Sequence, residues 1–205
     1  MAGSEQADMR ARVAGPEDTN RIARTLAEAF FFDPVWGWAF DDPTHRKTHH
    51  EAWFRLLVHS ALPSQWVWTT PDYEAASVWV PPGCPELNEA DEALLGPLLQ
   101  ESLGARAELV FEIFERFEAA HPRTPEHYYL SLLGTHTEHR GSGIGMSLLA
   151  DNLVRLDALR LPAYLESTNP DNLRRYESVG FAVCGAFDLP DGGPTVTTMW
   201  REPAH

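Results

Sequence analysis

The stretch Thr135–Leu156, THTEHRGSGIGMSLLADNLVRL, carries three glycines in alternation, Gly141, Gly143 and Gly145, directly behind Arg140. An apolar run, HYYLSLLGT (residues 127–135), precedes them, and apolar residues at helical spacing follow. Strand, glycine turn, helix is an order that builds an anion site. The first turn of a helix presents unpaired N–H groups and the positive end of the helix dipole. Glycine lets the backbone approach a ligand closely and accepts positive φ. The spacing therefore predicts that this turn holds a phosphate-type anion.

Two common phosphate loops fail the spacing. A GxxxxGK[ST] loop needs a lysine, and there is none here. A GxGxxG fingerprint started at Gly141 needs glycine where Met146 stands; started at Gly143 it meets Leu148.

Working outward, ARVAGPED reads as a short strand entering a helix, with Pro16, Glu17 and Asp18 suited to a first turn. Ile22, Leu26, Ala29 and Phe30 give the next segment helical spacing, and Asp33-Pro34 stops it. PVWGWAFDDP is an aromatic loop or short helix, and a second helix runs to Pro63. QWVWTT and EAASVWVPP read as an antiparallel hairpin around PDY. Residues 86–121 read as one or two helices, broken near Gly96-Pro97 and Gly104. HYYLSLLGT reads as a strand buried on both faces. A helix then spans about 143–159, PAYLEST is a strand, and NPDNLRRYESVG is a short helix stopped at Gly180. FAVCGAFDLP and TVTTMWRE are two final strands turned by DGG. This order predicts an α/β (α+β) chain with a mixed central sheet. Residues 1–10 read as a polar, loose tail and 11–205 as one domain.

Composition excludes some partners. The 205 residues hold 16 basic and 30 acidic side chains, a formal charge of −14. That balance argues against nucleic acid, which needs basic surface, and against anionic membranes. It tolerates a cationic partner such as an amine. Two distant cysteines, Cys84 and Cys184, make neither a disulfide framework nor a zinc cluster. With no signal peptide or membrane span in view, the reading is a cytoplasmic protein.

What fits the loop is R-x-x-G-x-G: Arg140, Gly143, Gly145. Here the sequence resembles the GNAT superfamily of acyl-CoA-dependent N-acyltransferases, whose loop after the fourth strand cradles the pyrophosphate of coenzyme A. A second block, AYLESTNPDNLRRYESVGF, resembles that family's fifth strand and following helix, ending in Y-x-x-x-G-F: Tyr176, Gly180, Phe181. Within the superfamily the resemblance runs to puromycin N-acetyltransferase and similar actinobacterial proteins, through TLAEAF, AASVWVPPG and YLESTNP. Residues 84–125 are the least family-like.

The resemblance implies a mostly antiparallel sheet flanked by helices, with the fourth and fifth strands splayed apart. It implies acetyl-CoA as cosubstrate, no metal, and transfer to a primary amine of a small molecule, possibly antibiotic-like, by direct attack in a ternary complex. Arg140, Gly141, Ser142, Gly143, Ile144 and Gly145 would take the pyrophosphate. Leu133, Gly134 and Thr135 would pair with the pantetheine arm, and Gly134 suits a bulge there. Asn169 or Asn172 would contact the same arm. Tyr176 sits where the family places the acid that protonates the leaving thiolate.

The base is less defined, because HYYLSLLGT has no carboxylate. Glu166, alternating with Tyr164 and Thr168, is the best remaining one, with His127 or a water chain as substitutes. The loop after the first helix would line the acceptor pocket, with Phe31, Phe32, Trp36, Trp38 and Phe40 as an apolar wall and Asp33, Asp41 or Asp42 for an ammonium. The same aromatics could simply pack two helices. His45 and His49 stand at i, i+4 without a third ligand, so no metal site is expected. Two rival readings remain. One is an acyl-CoA-binding sensor or interaction module with little turnover; the other is a protein or peptide N-acetyltransferase.

Overall fold

A computed structural model describes residues 11–204; the expected loose tail at 1–10 lies outside the described residues. Strand β1 (Arg12–Val13) enters helix α1 (Thr19–Phe30) through a 3-10 turn at Pro16–Asp18. The Asp18 carboxylate accepts the Gly15 N–H at 2.8 Å and both Arg12 guanidinium arms at 2.6 and 2.8 Å. Ile22, Ala23, Leu26 and Ala27 give α1 its buried face. The short helix α2 (Trp36–Ala39) and α3 (Arg46–Ala61) follow, and α3 buries Trp53, Phe54, Leu57 and Val58 at helical spacing.

Strands β2 (Val67–Thr69) and β3 (Ala75–Val80) form the expected hairpin. Helix α4 (Glu89–Leu103) starts at Asn88, whose side-chain oxygen accepts the N–H of Ala90 and Asp91, both at 3.0 Å. The expected break at Gly96-Pro97 does not occur: α4 runs through Pro97 and stops at Gly104, with φ +55°. Pro97 and Ala93, whose carbonyl Pro97 leaves without a donor, are both exposed, so that carbonyl stays open to solvent, while buried Leu99 holds the helix down. Helix α5 (Ala107–Ala120) leads to β4 (Tyr128–Thr135), then α6 (Ile144–Leu159), β5 (Ala163–Ser167), α7 (Leu173–Glu177), β6 (Ala182–Asp188) and β7 (Thr195–Arg201).

The seven strands form one sheet in the order β1-β2-β3-β4-β5-β7-β6. Every pairing is antiparallel except β4 with β5. That parallel pair holds at Tyr128↔Ala163 and Tyr129↔Tyr164 only. Beyond it the two strands separate, which is the expected splay. One core lies between the sheet and α1, α3, α4 and α5; the second lies under α6.

One expectation for β4 is corrected. The bulge is at Ser131, not Gly134: Val78 pairs with Leu132 while Trp79 pairs with Leu130, leaving Ser131 over. The extra residue flips the strand's faces. Tyr128 and Leu130 pack into the α6 core, whereas Leu132 packs with Leu26 on the other side. Gly134 pairs regularly with Ala76. Its glycine serves close packing, since a Cβ there would lie 2.8 Å from Ala29 Cβ and 3.0 Å from Leu26 Cδ2. As expected, β4 carries buried residues on both faces, while Tyr129, Ser131, Leu133 and Thr135 are half-buried along a cavity.

Candidate active site

The cavity has a volume of about 1650 Å³ and runs from the glycine turn, through the splay, to the facing sides of α4 and α5. That exceeds the roughly 300–1,000 Å³ of a pocket for one small ligand.

At one end is the turn read from sequence. Gly141 and Gly143 have φ of +80° and +84° with open space where a Cβ would stand. Gly143 caps α6, and the N–H groups of Ile144, Gly145 and Met146 have no partner within the helix. Gly141, Ser142 and Gly143 donate no backbone hydrogen bond among the described residues. Gly145 is required for another reason: a Cβ would sit 2.3 Å from Thr135 Oγ1, so glycine lets the helix start close on the strand end. These are the features of an anion cradle, and they fit a diphosphate. Two of its expected members turn elsewhere. The Arg140 N–H reaches the Thr137 carbonyl at 3.4 Å, and its guanidinium donates to the Ala29 carbonyl at 2.5 Å, tying the turn to the end of α1. The Ser142 hydroxyl donates back to the His139 carbonyl.

Strand parity sets the next feature. The His136 N–H donates to the Glu74 carbonyl at 2.7 Å. In an antiparallel ladder this makes Thr135↔Ala75 a pair without mutual hydrogen bonds. Thr135 and Leu133 therefore point their N–H and C=O groups away from β3, towards β5. With β5 splayed, those groups have no sheet partner.

Across the splay, Thr168 donates to Asp33 Oδ2 at 2.6 Å. The other Asp33 oxygen accepts the Val35 and Trp36 N–H groups at 3.0 and 3.1 Å. Asp33 thus pins the loop after α1 to the end of β5, and burial raises its carboxyl above the usual range. Tyr176 lines the cavity nearby; burial and the charge of Asp33 push its hydroxyl up to about 12. Asn169 and Asn172 line the same stretch. Asn169 Oδ1 caps the turn through the Asp171 N–H at 3.0 Å, and Asn172 Oδ1 accepts Arg175 at 2.8 Å. Each keeps its amide NH₂ group free of those bonds.

The aromatic loop divides. Phe32, 74% exposed, stands at the cavity mouth, and Trp36 forms its floor, stacked on Phe117 at 5.8 Å. Trp38 is a correction: it lies against Gly193 and beneath Arg106, outside the cavity. Phe40 is core, stacked on Trp53. Asp41 and Asp42 pair with Arg106 and His45 instead of facing the cavity.

The far end was not legible in sequence. Glu86, Glu115 and Glu118 line it together with Glu166. Glu86 accepts from the bulged Ser131. Phe111, Phe114, Phe117 and His121 present one face of α5 and its end. Their i, i+3, i+6, i+10 spacing was the available signal, but an ordinary core helix shows the same pattern. At the turn's entrance, His136, Glu138 and His139 donors lie within 4.8 Å of one another.

No protein-family model matches the chain. An uncharacterized N-acetyltransferase of Schizosaccharomyces pombe is 26% identical over 95% of this chain and 84% of its own length. A solved structure named as histone acetyltransferase HPA2 and related acetyltransferase, from Corynebacterium glutamicum, is similar at TM-score 0.63, with 24% identity over 95% of this chain and 96% of that one. A polyamine N-acetyltransferase of Drosophila melanogaster, described as forming N-acetylagmatine, reaches TM-score 0.65 at 13% identity, over 94% and 99%. These likenesses are of fold: a seven-stranded, mostly antiparallel sheet flanked by helices, which is the fold of the GNAT-type N-acetyltransferases.

Proposed function

We propose that the protein is an acetyl-CoA-dependent N-acetyltransferase acting on the primary amine of a small molecule. The observation that carries this reading is the continuity of one cavity. It joins an anion cradle, a strand edge with free backbone groups, and an acidic far end. Acetyl-CoA supplies the acetyl group as a thioester. The N–H groups from Gly141 to Gly145 hold its diphosphate, and the free edge of Leu133 and Thr135 holds the arm between. The Thr135 N–H polarises the carbonyl oxygen. Tyr176 carries its proton at neutral pH, because its hydroxyl is pushed up to about 12, and hydrogen-bonds the departing sulfur. Glu166 receives the proton of the amine. Glu86, Glu115 and Glu118 draw a cation into the cavity, and the size of the cavity allows direct attack with both substrates bound.

Solved structures of similar fold that are named for agmatine, arylalkylamine and polyamine acetylation support this acceptor class. An aromatic wall of Phe32, Trp36 and Phe114 suits an amine with an apolar body, including a puromycin-like one. The test is a thermal shift with acetyl-CoA against NAD and ATP controls, followed by thiol release over alkyl, aryl and diamine acceptors. A ligand that binds only the folded state adds about 2.7 kcal/mol at a hundredfold excess over Kd. A shift with acetyl-CoA alone and thiol release with at least one amine are expected. Binding without release from any amine would instead establish the acyl-CoA sensor. No shift at millimolar acetyl-CoA would reject both.

A further inference from the structure

Glu166 is the least satisfied polar group on the cavity wall. Its side chain is 1% exposed, and neither carboxylate oxygen has a hydrogen-bond partner among the described residues. Around it stand His121, Nδ1 to Oε1 at 3.7 Å, and the hydroxyls of Tyr129 and Tyr164.

The hydrogens on this histidine follow from the next one. His127 Nδ1 lies 2.8 Å from the Pro125 carbonyl, which can only accept, so Nδ1 carries a hydrogen. Neutral His127 is then bare at Nε2. That atom lies 3.1 Å from His121 Nε2, which must donate to it. Burial holds His127 below the usual imidazole range and so favours this neutral form. A neutral His121 with its hydrogen on Nε2 turns the Nδ1 lone pair towards Glu166. Two acceptors face each other across a gap that one proton would close.

We propose that His121 and Glu166 form a joint proton-accepting pair for the acceptor amine, with His127 as the positioning residue that sets the tautomer of His121. This rests on the transferase reading above. In the step, one N–H bond of the substrate ammonium breaks and its electron pair stays on nitrogen, free to attack. The proton goes to the pair and ends between Nδ1 and Oε1, and it returns to solvent through the open cavity before the next turnover. The charged and titratable groups facing His121 are Glu166 and Tyr164 from β5, Tyr129 from β4, Glu86 before α4, and His127. Both tyrosines are raised by burial and stay neutral, so the carboxylates set the local charge.

The test begins with imidazole ¹⁵N NMR of the intact protein labelled on histidine, assigned with His121→Gln and His127→Gln. The expected result at neutral pH is hydrogen on Nδ1 of His127 and on Nε2 of His121. A neutral His121 with hydrogen on Nδ1 overturns the proposal, because Glu166 would then already hold a donor. The second arm is the pH profile of thiol release. His127→Phe should lower kcat tenfold or more, leave the KM for acetyl-CoA unchanged and displace the acidic limb. His127→Gln, whose carbonyl can still accept from His121, should restore most of the loss. Reduced activity with an unmoved limb in both variants overturns the pairing. Expected tautomers without thiol release from any amine would reject the transferase reading and its proton step, while the hydrogen assignment stands.

Discussion

Replacing Gly145 by alanine should change stability with opposite sign in two backgrounds. The new Cβ would stand 2.3 Å from Thr135 Oγ1, and its next neighbour, Thr135 Cβ, is at 3.7 Å, an ordinary contact. The clash is therefore with one atom. Threonine is stiff at χ1, so that atom yields only by leaving its rotamer or by moving the strand end from the helix. Such overpacking costs about 1–3 kcal/mol. Alanine in a helix gains about 1 kcal/mol over glycine. In the parent chain Gly145→Ala should therefore lose up to about 2 kcal/mol, roughly 2–4 °C of Tm per kcal/mol at this size. In a Thr135→Ala background the clash is gone, and the same substitution should raise Tm by about 2–4 °C. Four proteins measured by calorimetry close the double-mutant cycle, with an expected coupling of about 1–3 kcal/mol. Repeating the scans with acetyl-CoA asks whether the cradle follows, and only Gly145→Ala alone should lose part of the ligand shift. If Gly145→Ala shifts Tm in the same direction in both backgrounds, helix and strand do not meet as described.

Tyr176→Phe should lower kcat by about 10²-fold with little change in the KM for acetyl-CoA, measured by thiol release; an unchanged kcat removes the hydroxyl from the reaction. Pro97→Ala should stabilise the fold by up to about 3 kcal/mol of helix propensity in an exposed turn and so raise Tm, and a fall would mean that α4 needs the proline. The Asp18 carboxyl is held below its ordinary value by Arg12 and Tyr73. A depressed carboxyl stabilises the fold above its unfolded pKa and loses that contribution as pH falls. Asp18→Asn should thus cost about 1.5–3 kcal/mol at neutral pH, with the gap to parent closing below about pH 4. A gap independent of pH would contradict the ion pair.

The legible parts of this protein are those in which neighbours in sequence are neighbours in space. The cradle is one continuous turn: Gly141, Gly143 and Gly145 announce it because positive φ and close approach are demands on single residues. Element order followed for the same reason, since periodicity and stop signals are local. Placing Tyr176 and Glu166 beside the cavity needed only alternation along β5 and one short helix.

Where long-range packing decides, local pattern misleads. Trp36 and Trp38 are two residues apart in one aromatic run, yet one floors the cavity and the other packs on Gly193, because a four-residue helix sends them to different sides. Gly134 carries the residue type of a bulge, but the strand bulges at Ser131; the contact of Gly134 with Ala29 and Leu26 joins residues more than a hundred positions apart. Pro97 reads as a break, and the burial of Leu99 overrides it. The sequence by itself determined the glycine turn and the strand and helix order, both set by backbone demands within a few residues; Tyr176 entered through the resemblance of its block to a family motif, and its role is a proposal. Only the tertiary structure decided the acidic far wall and the His127–His121–Glu166 chain, because an end of α5, the approach to β4 and the middle of β5 meet solely when the sheet is assembled.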